Sequence, residues 1–229
     1  MQGWSGKAKN RLMLALAASA LAFALVYALV THWAPSRSRY PVQGVDVSQK
    51  QGRINWAAVS SDEINFAYLQ ATEGADFHDT TFQKNWEGTE KNHIRHGAYH
   101  VFTLCRLARD QASNFIAHVP RDAAALPAAL QLRLQGNCDD RPDRAVVLKE
   151  IATFVQMAEA HTGQAIILYL AADFDNYYDV SSAINRKLWL RSMAVPPSFG
   201  ARGWALWQAS ALRRVAGIEG PVNWNVVRP

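Results

Sequence analysis

The chain has two cysteines in 229 residues, and its short motifs include none that signal nucleotide, zinc or nucleic-acid chemistry. No glycine-rich loop of the phosphate-cradling kind is present, no Cys/His pair has zinc-ligand spacing, and basic residues are not interleaved with aromatics. There is no internal repeat and no low-complexity tract. The formal net charge of +5 is modest and scattered, and part of it sits in the first eleven residues. Such a charge is compatible with a carboxylate-bearing polymer as partner and equally with a plain soluble surface. These absences leave nothing that calls for a cofactor, a metal or a nucleic-acid partner. His93, His96 and His100 cluster in sequence but fall across a loop and a strand without ligand spacing.

What is present begins with a leader. Lys7, Lys9 and Arg11 precede Leu12 to Val30, a run of 19 residues without a charge. At 1.5 Å per residue such a helix covers roughly 30 Å of hydrocarbon. Tyr27 and Trp33 lie near its outer end, where aromatic belts form, and the basic flank favours a cytoplasmic N-terminus despite Arg37 and Arg39 beyond the span. A cleaved signal peptide is the other reading. The apolar stretch exceeds the usual h-region, however, and Ala18-Ser19-Ala20 lies inside it rather than after it. The expected organisation is a cytoplasmic basic N-terminus at 1–11, a transmembrane anchor at 12–33, a linker at 34–41 and a barrel domain at 42–229. That arrangement implies a single pass through the inner (cytoplasmic) membrane, with the C-terminal domain in the periplasm or outside. Cys105 and Cys138 suit an oxidising compartment. Each follows a predicted strand, so a disulfide forms if those strands are neighbours; two unrelated thiols are the alternative.

After the linker, strand and helix signals alternate. Apolar, β-rich runs fall at 42–47, 65–71, 97–102, 128–134 and 165–170, with helical segments around 82–92, 109–118 and 143–161. The last helix has Ala145, Leu148, Ile151, Ala152, Val155 and Ala158 at helical intervals and stops at Thr162-Gly163. Alternation of this kind means parallel strands with helical crossovers. Beyond Leu170 the pattern changes to short strands at 189–192, 204–210 and 222–227, with little room for helices. The fold class is therefore α/β, an irregular TIM-like barrel nearly all-β at its close. Functional groups in such barrels collect at the C-terminal ends of the strands. Asp46, ending the first strand, Glu73, ending the second, and Tyr99 in the third would then share one cleft.

The ordered set Gly44-Val45-Asp46-Val47-Ser48, Ala71-Thr72-Glu73-Gly74, Phe82-x-x-Asn85-Trp86, Gly97-Ala98-Tyr99-His100, Gln111-Ala112-x-Asn114-Phe115, Leu126-Pro127, Gly136-Asn137-Cys138, Leu206-Trp207-Gln208-x-Ser210 and Gly220-Pro221-Val222-Asn223-Trp224-Asn225 resembles glycoside hydrolase family 25. The resemblance covers about residues 43 to 228. It implies a barrel of five β/α units closed by three further strands, and a lysozyme-like muramidase that cuts peptidoglycan between N-acetylmuramic acid and N-acetylglucosamine. In that family an Asp-x-Glu on the fourth strand does the chemistry: the Glu is the proton donor, and the Asp supports attack by the substrate's acetamido group. Two further Asp residues come from the first and last strands.

Carried over by motif, the first-strand Asp is Asp46, but the Asp-x-Glu pair falls on Gln131 and Arg133 and the last-strand Asp on Asn223. Gln70 and His96 replace a Lys and an Arg that the family tends to have. Gln does not titrate, and Arg cannot be deprotonated in a protein, so neither transfers a proton. Proton transfer alone contributes roughly a hundred- to ten-thousand-fold to such a rate. A fixed cation also opposes the positive charge that develops in the transition state. The sequence thus reads as a membrane-anchored muramidase-like pseudoenzyme that binds peptidoglycan glycan or an envelope protein such as a muramidase-type toxin, in an immunity or inhibitor role. The alternative is an active muramidase using Asp46, Glu73 or an acid among Asp139, Asp140 and Asp143. Tyr99, Trp207 and Gln208 are candidate ligand-binding residues, and Arg133 is expected to pair with Asp46 or Glu73.

Overall fold

The computed structural model describes residues 6–60 and 64–229. The first five residues of the predicted basic segment 1–11, and the side chain of Lys9, lie outside the described residues. The chain divides into two units, Met1–Trp33 and Ala34–Pro229. The first contains one helix, α1 (Gly6–His32), which over Asn10–His32 is long and apolar enough to cross a membrane. Its length and composition suit either a signal segment or an anchor.

The second unit contains β1 (Gln43–Val47), a 3-10 turn (Gln49–Gln51), α2 (Trp56–Ser60), β2 (Phe66–Glu73), β3 (Phe77–His78), α3 (Phe82–Lys91), β4 (Arg95–Val101), α4 (Ala108–His118), β5 (Ala129–Leu132) and α5 (Arg144–Thr162). It continues with β6 (Ile167–Leu170), α6 (Ala172–Tyr178), α7 (Val180–Ala183), β7 (Lys187–Arg191), β8 (Leu206–Arg213) and β9 (Val222–Val227). The strands pair in the order β1-β9-β8-β7-β6-β5-β4-β2, and β1 also pairs with β2, so eight of them close a barrel with β3 appended to β2 as a short hairpin. Every barrel pairing is parallel except those of β9, which runs antiparallel to both β8 and β1.

Period-two alternation divides the core into two layers. One face of the strands carries Val45, Val47, Ala98, Leu130, Leu132, Leu168, Leu188, Leu190, Trp207, Trp224 and Val226, which pack against the helices. The other face fills the barrel with Phe66, Tyr68, Tyr99, Val101, Ala129, Ile167, Tyr169, Trp189 and Leu206. Tyr169 and Trp189 stack with ring centroids 3.9 Å apart, in a pair worth about 0.5–1.5 kcal/mol beyond its burial. On β1, Gly44 lies on the barrel side against the Phe66 carbonyl and ring, where a Cβ has no room.

The expected elements are present, α2 and β3 are additions to them, and three further differences stand out. The segment after Leu170 is not poor in helix: α6 and α7 occupy 172–183, joined at Asp179 with φ of 48°. The buried Asp175 carboxylate, which accepts from Ser181 N at 2.8 Å and Ser181 Oγ at 2.7 Å, holds that junction. The fourth barrel strand is shorter than 128–134, ending at Leu132. The buried stripe of α5 is Val147, Ile151, Phe154, Val155 and Ala158, rotated from the predicted one because Phe154 fills the gap between His100 and Phe102.

β4 and β5 are neighbours, and the loops after them meet in the Cys105–Cys138 disulfide, with Cα atoms 5.8 Å apart. The bridge closes a loop of 33 residues, for which chain entropy gives roughly 3–4 kcal/mol of stabilisation. Replacing both cysteines by serine is expected to lower the free energy of unfolding by about that amount in urea titrations. A loss under about 1 kcal/mol would mean that the loops are held by their hydrogen bonds alone.

Candidate functional site

The C-terminal ends of the parallel strands open into a cleft of about 290 Å³. Its walls include Asp46 from β1, Gln70 and Glu73 from β2, Tyr99 from β4, Gln131 and Arg133 at the end of β5, Arg191 from β7, Gln208 from β8 and Asn223 from β9, with Lys50 and Gln51 on the rim. Antiparallel β9 contributes from its N-terminal half, because only there does it reach this end of the barrel.

Asp46 is the buried charge of the site, with 2% of its surface exposed. It lies directly across from Asn223 in the β1–β9 register, and Asn225 comes two residues later on the same face. Asn223 Nδ2 donates to its Oδ2 at 2.8 Å and Asn225 Nδ2 to its Oδ1 at 2.7 Å. Behind them, Gln208 Nε2 donates to Asn223 Oδ1 at 2.9 Å, the Tyr169 hydroxyl donates to Gln208 Oε1, and Trp189 Nε1 donates to Asn225 Oδ1 at 2.9 Å. Both arms thus point their donors at one carboxylate. Burial nevertheless dominates and pushes the Asp46 carboxyl up to about 6, against the lowering effect of the two amides and of the Arg191 charge.

A second network spans the other wall. Tyr99 Oη donates to Gln70 Oε1 at 3.4 Å, Gln70 Nε2 to Glu73 Oε2 at 3.3 Å, and Arg133 Nη2 lies 3.9 Å from Glu73 Oε1. The Arg133–Glu73 side chains are 25% and 38% exposed, so the pair is worth about 0–1 kcal/mol. Its importance is electrostatic, since it sets a fixed cation beside the only accessible carboxylate among the described cleft residues. Of the two partners expected for Arg133, the structure pairs it with Glu73 and leaves Asp46 to the asparagines.

The Gly136-Asn137-Cys138 motif fixes Arg133. Asn137 Nδ2 donates to Phe102 O and Arg133 O, each at 2.9 Å, and Asn137 Oδ1 accepts from Leu104 N and Cys138 N. Arg133 Nη1 donates back to Gln135 O at 2.7 Å. Gly136 has φ of 71°, and a Cβ there would lie 2.8 Å from Arg133 Nη1. A glycine adopts that turn without strain and leaves the arginine its place.

The structure brings together Asp46, Glu73, Tyr99, Gln131, Arg133, Gln208 and Asn223, and leaves Trp207 out. Gln208 faces the cleft, so its neighbour Trp207 must face the other way. The Trp207 ring packs on Tyr40 and Trp204, and its Nε1 donates to Ser192 O. His100 also faces outward. It is held neutral by burial, with its pKa lowered to about 3, between Thr72 Oγ1 at 2.7 Å and Gln111 Oε1 at 3.2 Å. The acids at 139, 140 and 143 are not among the cleft residues. Sequence reasoning missed Arg191, Tyr169 and Asn225. For Asn225 the signal was available, since it alternates with Asn223.

The family model for glycosyl hydrolases family 25 matches residues 45–218. Lysozyme M1 of Streptomyces globisporus is 31% identical over 205 residues, covering 80% of this chain and 67% of that protein. The uncharacterised protein YegX of Escherichia coli (strain K12) is 31% identical over 194 residues, covering 82% and 70%. Among solved structures, a family 25 glycosyl hydrolase from Bacillus anthracis superposes with a TM-score of 0.80 at 32% identity, covering 87% of this chain and 93% of that one. A bacterial lysozyme from Streptomyces coelicolor gives 0.75 at 30% identity, covering 82% and 92%.

The raised pKa of Asp46 has a consequence for stability. An unfolded Asp titrates near 3.9, so the folded protein binds this proton more tightly. The associated stability is fully present below about pH 4 and is lost as pH rises through about 6. Moving from pH 7.5 to 4.5, wild type is expected to gain about 2 kcal/mol relative to Asp46→Asn, as measured by urea midpoints at both pH values. A constant difference between the two proteins would show that Asp46 does not titrate in this range.

Proposed function

The chain belongs to glycosyl hydrolase family 25, and from that premise we propose that it is a membrane-anchored, envelope-facing binding protein built on the muramidase fold, with little or no hydrolytic activity. The observation that carries this reading is the cleft's donor set. Gln131 and Arg133 stand where the resemblance puts the catalytic acid pair, Asn223 stands where it puts the last-strand Asp, and Arg133 faces Glu73 at 3.9 Å. Retaining hydrolysis needs a proton donor at the leaving oxygen and negative charge beside the reacting carbon. An amide and a guanidinium supply neither. Three cations, Lys50, Arg133 and Arg191, line the cleft against two carboxylates, Asp46 and Glu73. That balance suits a glycan bearing carboxylates, and peptidoglycan is the ligand class the family points to. The apolar helix would act as an uncleaved anchor holding the domain at the wall.

A second reading rests on one observation. Asp46, with its pKa at about 6, holds a proton in mildly acidic conditions, and Glu73 is within the same cleft. An active muramidase with rearranged carboxylates would use these two. Against it, both Asp46 oxygens already accept amide hydrogens, and 2% exposure leaves little access to a glycosidic oxygen.

The test compares the full chain in detergent with its Gln131→Asp/Arg133→Glu/Asn223→Asp variant, measuring reducing-sugar release from purified peptidoglycan and co-sedimentation with it. The native chain is expected to sediment with the polymer and release no sugar above buffer. The variant is expected to gain at least about a hundredfold in release. Release by the native chain that disappears in Glu73→Gln would establish the enzyme reading instead. Neither release nor co-sedimentation would replace the glycan by an envelope protein, such as a muramidase-type toxin, as the ligand.

A further inference from the structure

At the end of the barrel away from the cleft, the last turn of α3, the start of β4 and the turn between α4 and β5 bring Glu90, His96 and Asp122 together. A ring nitrogen of His96 and one carboxylate oxygen from each acid all lie within 4.8 Å of one another. His96 is 7% exposed. Its Nδ1 lies 3.1 Å from the Ile94 carbonyl oxygen, which can only accept, so Nδ1 donates there and Nε2 is the ring nitrogen left for another partner. That Nε2 is buried and has no hydrogen-bond partner. Among the described residues no lysine or arginine forms an ion pair with Glu90 or Asp122. Two carboxylates and the imidazole therefore converge, and neither acid is ion-paired to a described lysine or arginine. An unmade hydrogen bond at a buried polar atom is costly, and such orphans in native folds call for an explanation.

We propose that Glu90, His96 and Asp122 form a binding site for a divalent transition metal of the zinc class, with Nε2 and one oxygen from each carboxylate as three ligands and solvent as the fourth. Zinc takes nitrogen at about 2.0–2.1 Å and carboxylate oxygen at about 2.0–2.2 Å, which in a tetrahedron puts ligands roughly 3.4 Å apart. Closing from 4.8 Å asks for about an ångström of movement. Glu90 is exposed on its helix and Asp122 stands in a turn, so both side chains can supply it. An imidazole among carboxylates favours zinc over calcium or magnesium, which prefer all-oxygen shells. The outer contacts also suit a metal. Nδ1 donating to a backbone carbonyl fixes the ring and leaves Nε2 for the ion, and Ala124 N donates to Asp122 Oδ1 at 2.8 Å. Trp86 packs edge-to-face on the imidazole with centroids 4.4 Å apart and closes the apolar side. The bound ion would clamp α3 and the α4–β5 turn to the edge of β4.

The test uses the untagged full chain in detergent, stripped with chelator, exposed to Zn²⁺ and desalted. Metal content by mass spectrometry and thermal unfolding are the readouts. The expected result is one Zn²⁺ per chain with a raised Tm, at least about tenfold weaker Zn²⁺ affinity in Glu90→Gln and in Asp122→Asn, and an unchanged metal-free Tm in both variants. His96→Gln is expected to lose the ion. Because the two acids are not part of the core, their variants keep the test valid if His96→Gln fails to fold. Zn²⁺ content no higher than that of a Glu90→Gln/Asp122→Asn double variant would overturn the site. So would retention of Ca²⁺ but not Zn²⁺.

Discussion

The cleft end of the barrel depends on one buried carboxylate and the donors that replace its water. Taking Asp46 out of solvent is affordable only because Asn223 and Asn225 each give it an N–H, and those amides are oriented by Gln208, Tyr169 and Trp189 behind them. The direction of every bond is then fixed. If Asn223 turned over, it would present its oxygen to a carboxylate and its NH₂ to the amide of Gln208, losing two hydrogen bonds at once. The arrangement also bears on topology. β9 runs antiparallel between β1 and β8, and the pairing of Asp46 with Asn223 places the two arms where the barrel closes.

Above this fixed layer the cleft is governed by positive charge. Arg133 is held by its loop through Gln135, Asn137 and the room left by Gly136, and the disulfide ties that loop to the one after β4. On the proposed reading, a guanidinium restrained in this way is a recognition group. It offers several donors in a fixed plane and does not change protonation. Glu73, its neighbour, is accessible but electrostatically engaged from two sides, by Gln70 and by Arg133. On the proposed reading, such a cleft holds a carboxylate-bearing sugar in place without moving a proton to it.

Much of this was legible in the sequence because alternation in a closed barrel is strict. Asp46, Glu73 and Tyr99 could be assigned to one cleft from strand ends alone. Trp207 could not be kept beside Gln208 once the same rule was applied within the strand, and the structure turns it outward. The helix at 172–178 was illegible for a local reason: Ala-Asp-Phe-Asp-Asn-Tyr-Tyr contains poor helix formers, and its end is secured by the Asp175–Ser181 bonds rather than by propensity. Arg191 and Tyr169 were missed because their roles arise across strands. The same holds for Glu90, His96 and Asp122, which come from three separate segments of the chain.

The hydrophobic layers help to explain how a fold of this family carries Gln131, Arg133 and Asn223 at the cleft and remains intact. None of Gln131, Arg133 or Asn223 belongs to either apolar cluster, so changing them opens no cavity. On the proposed reading, Asn223 also avoids a conflict that an aspartate there would bring. Two carboxylates directly opposite on adjacent strands repel, and one of them would be pushed toward its protonated form. With Asn223 the same register carries a hydrogen bond at 2.8 Å. Catalytic sites keep such conflicts because chemistry needs them, at a cost in stability. On the proposed reading, the absence of this conflict and the cation beside Glu73 are what selection for binding rather than turnover would leave behind.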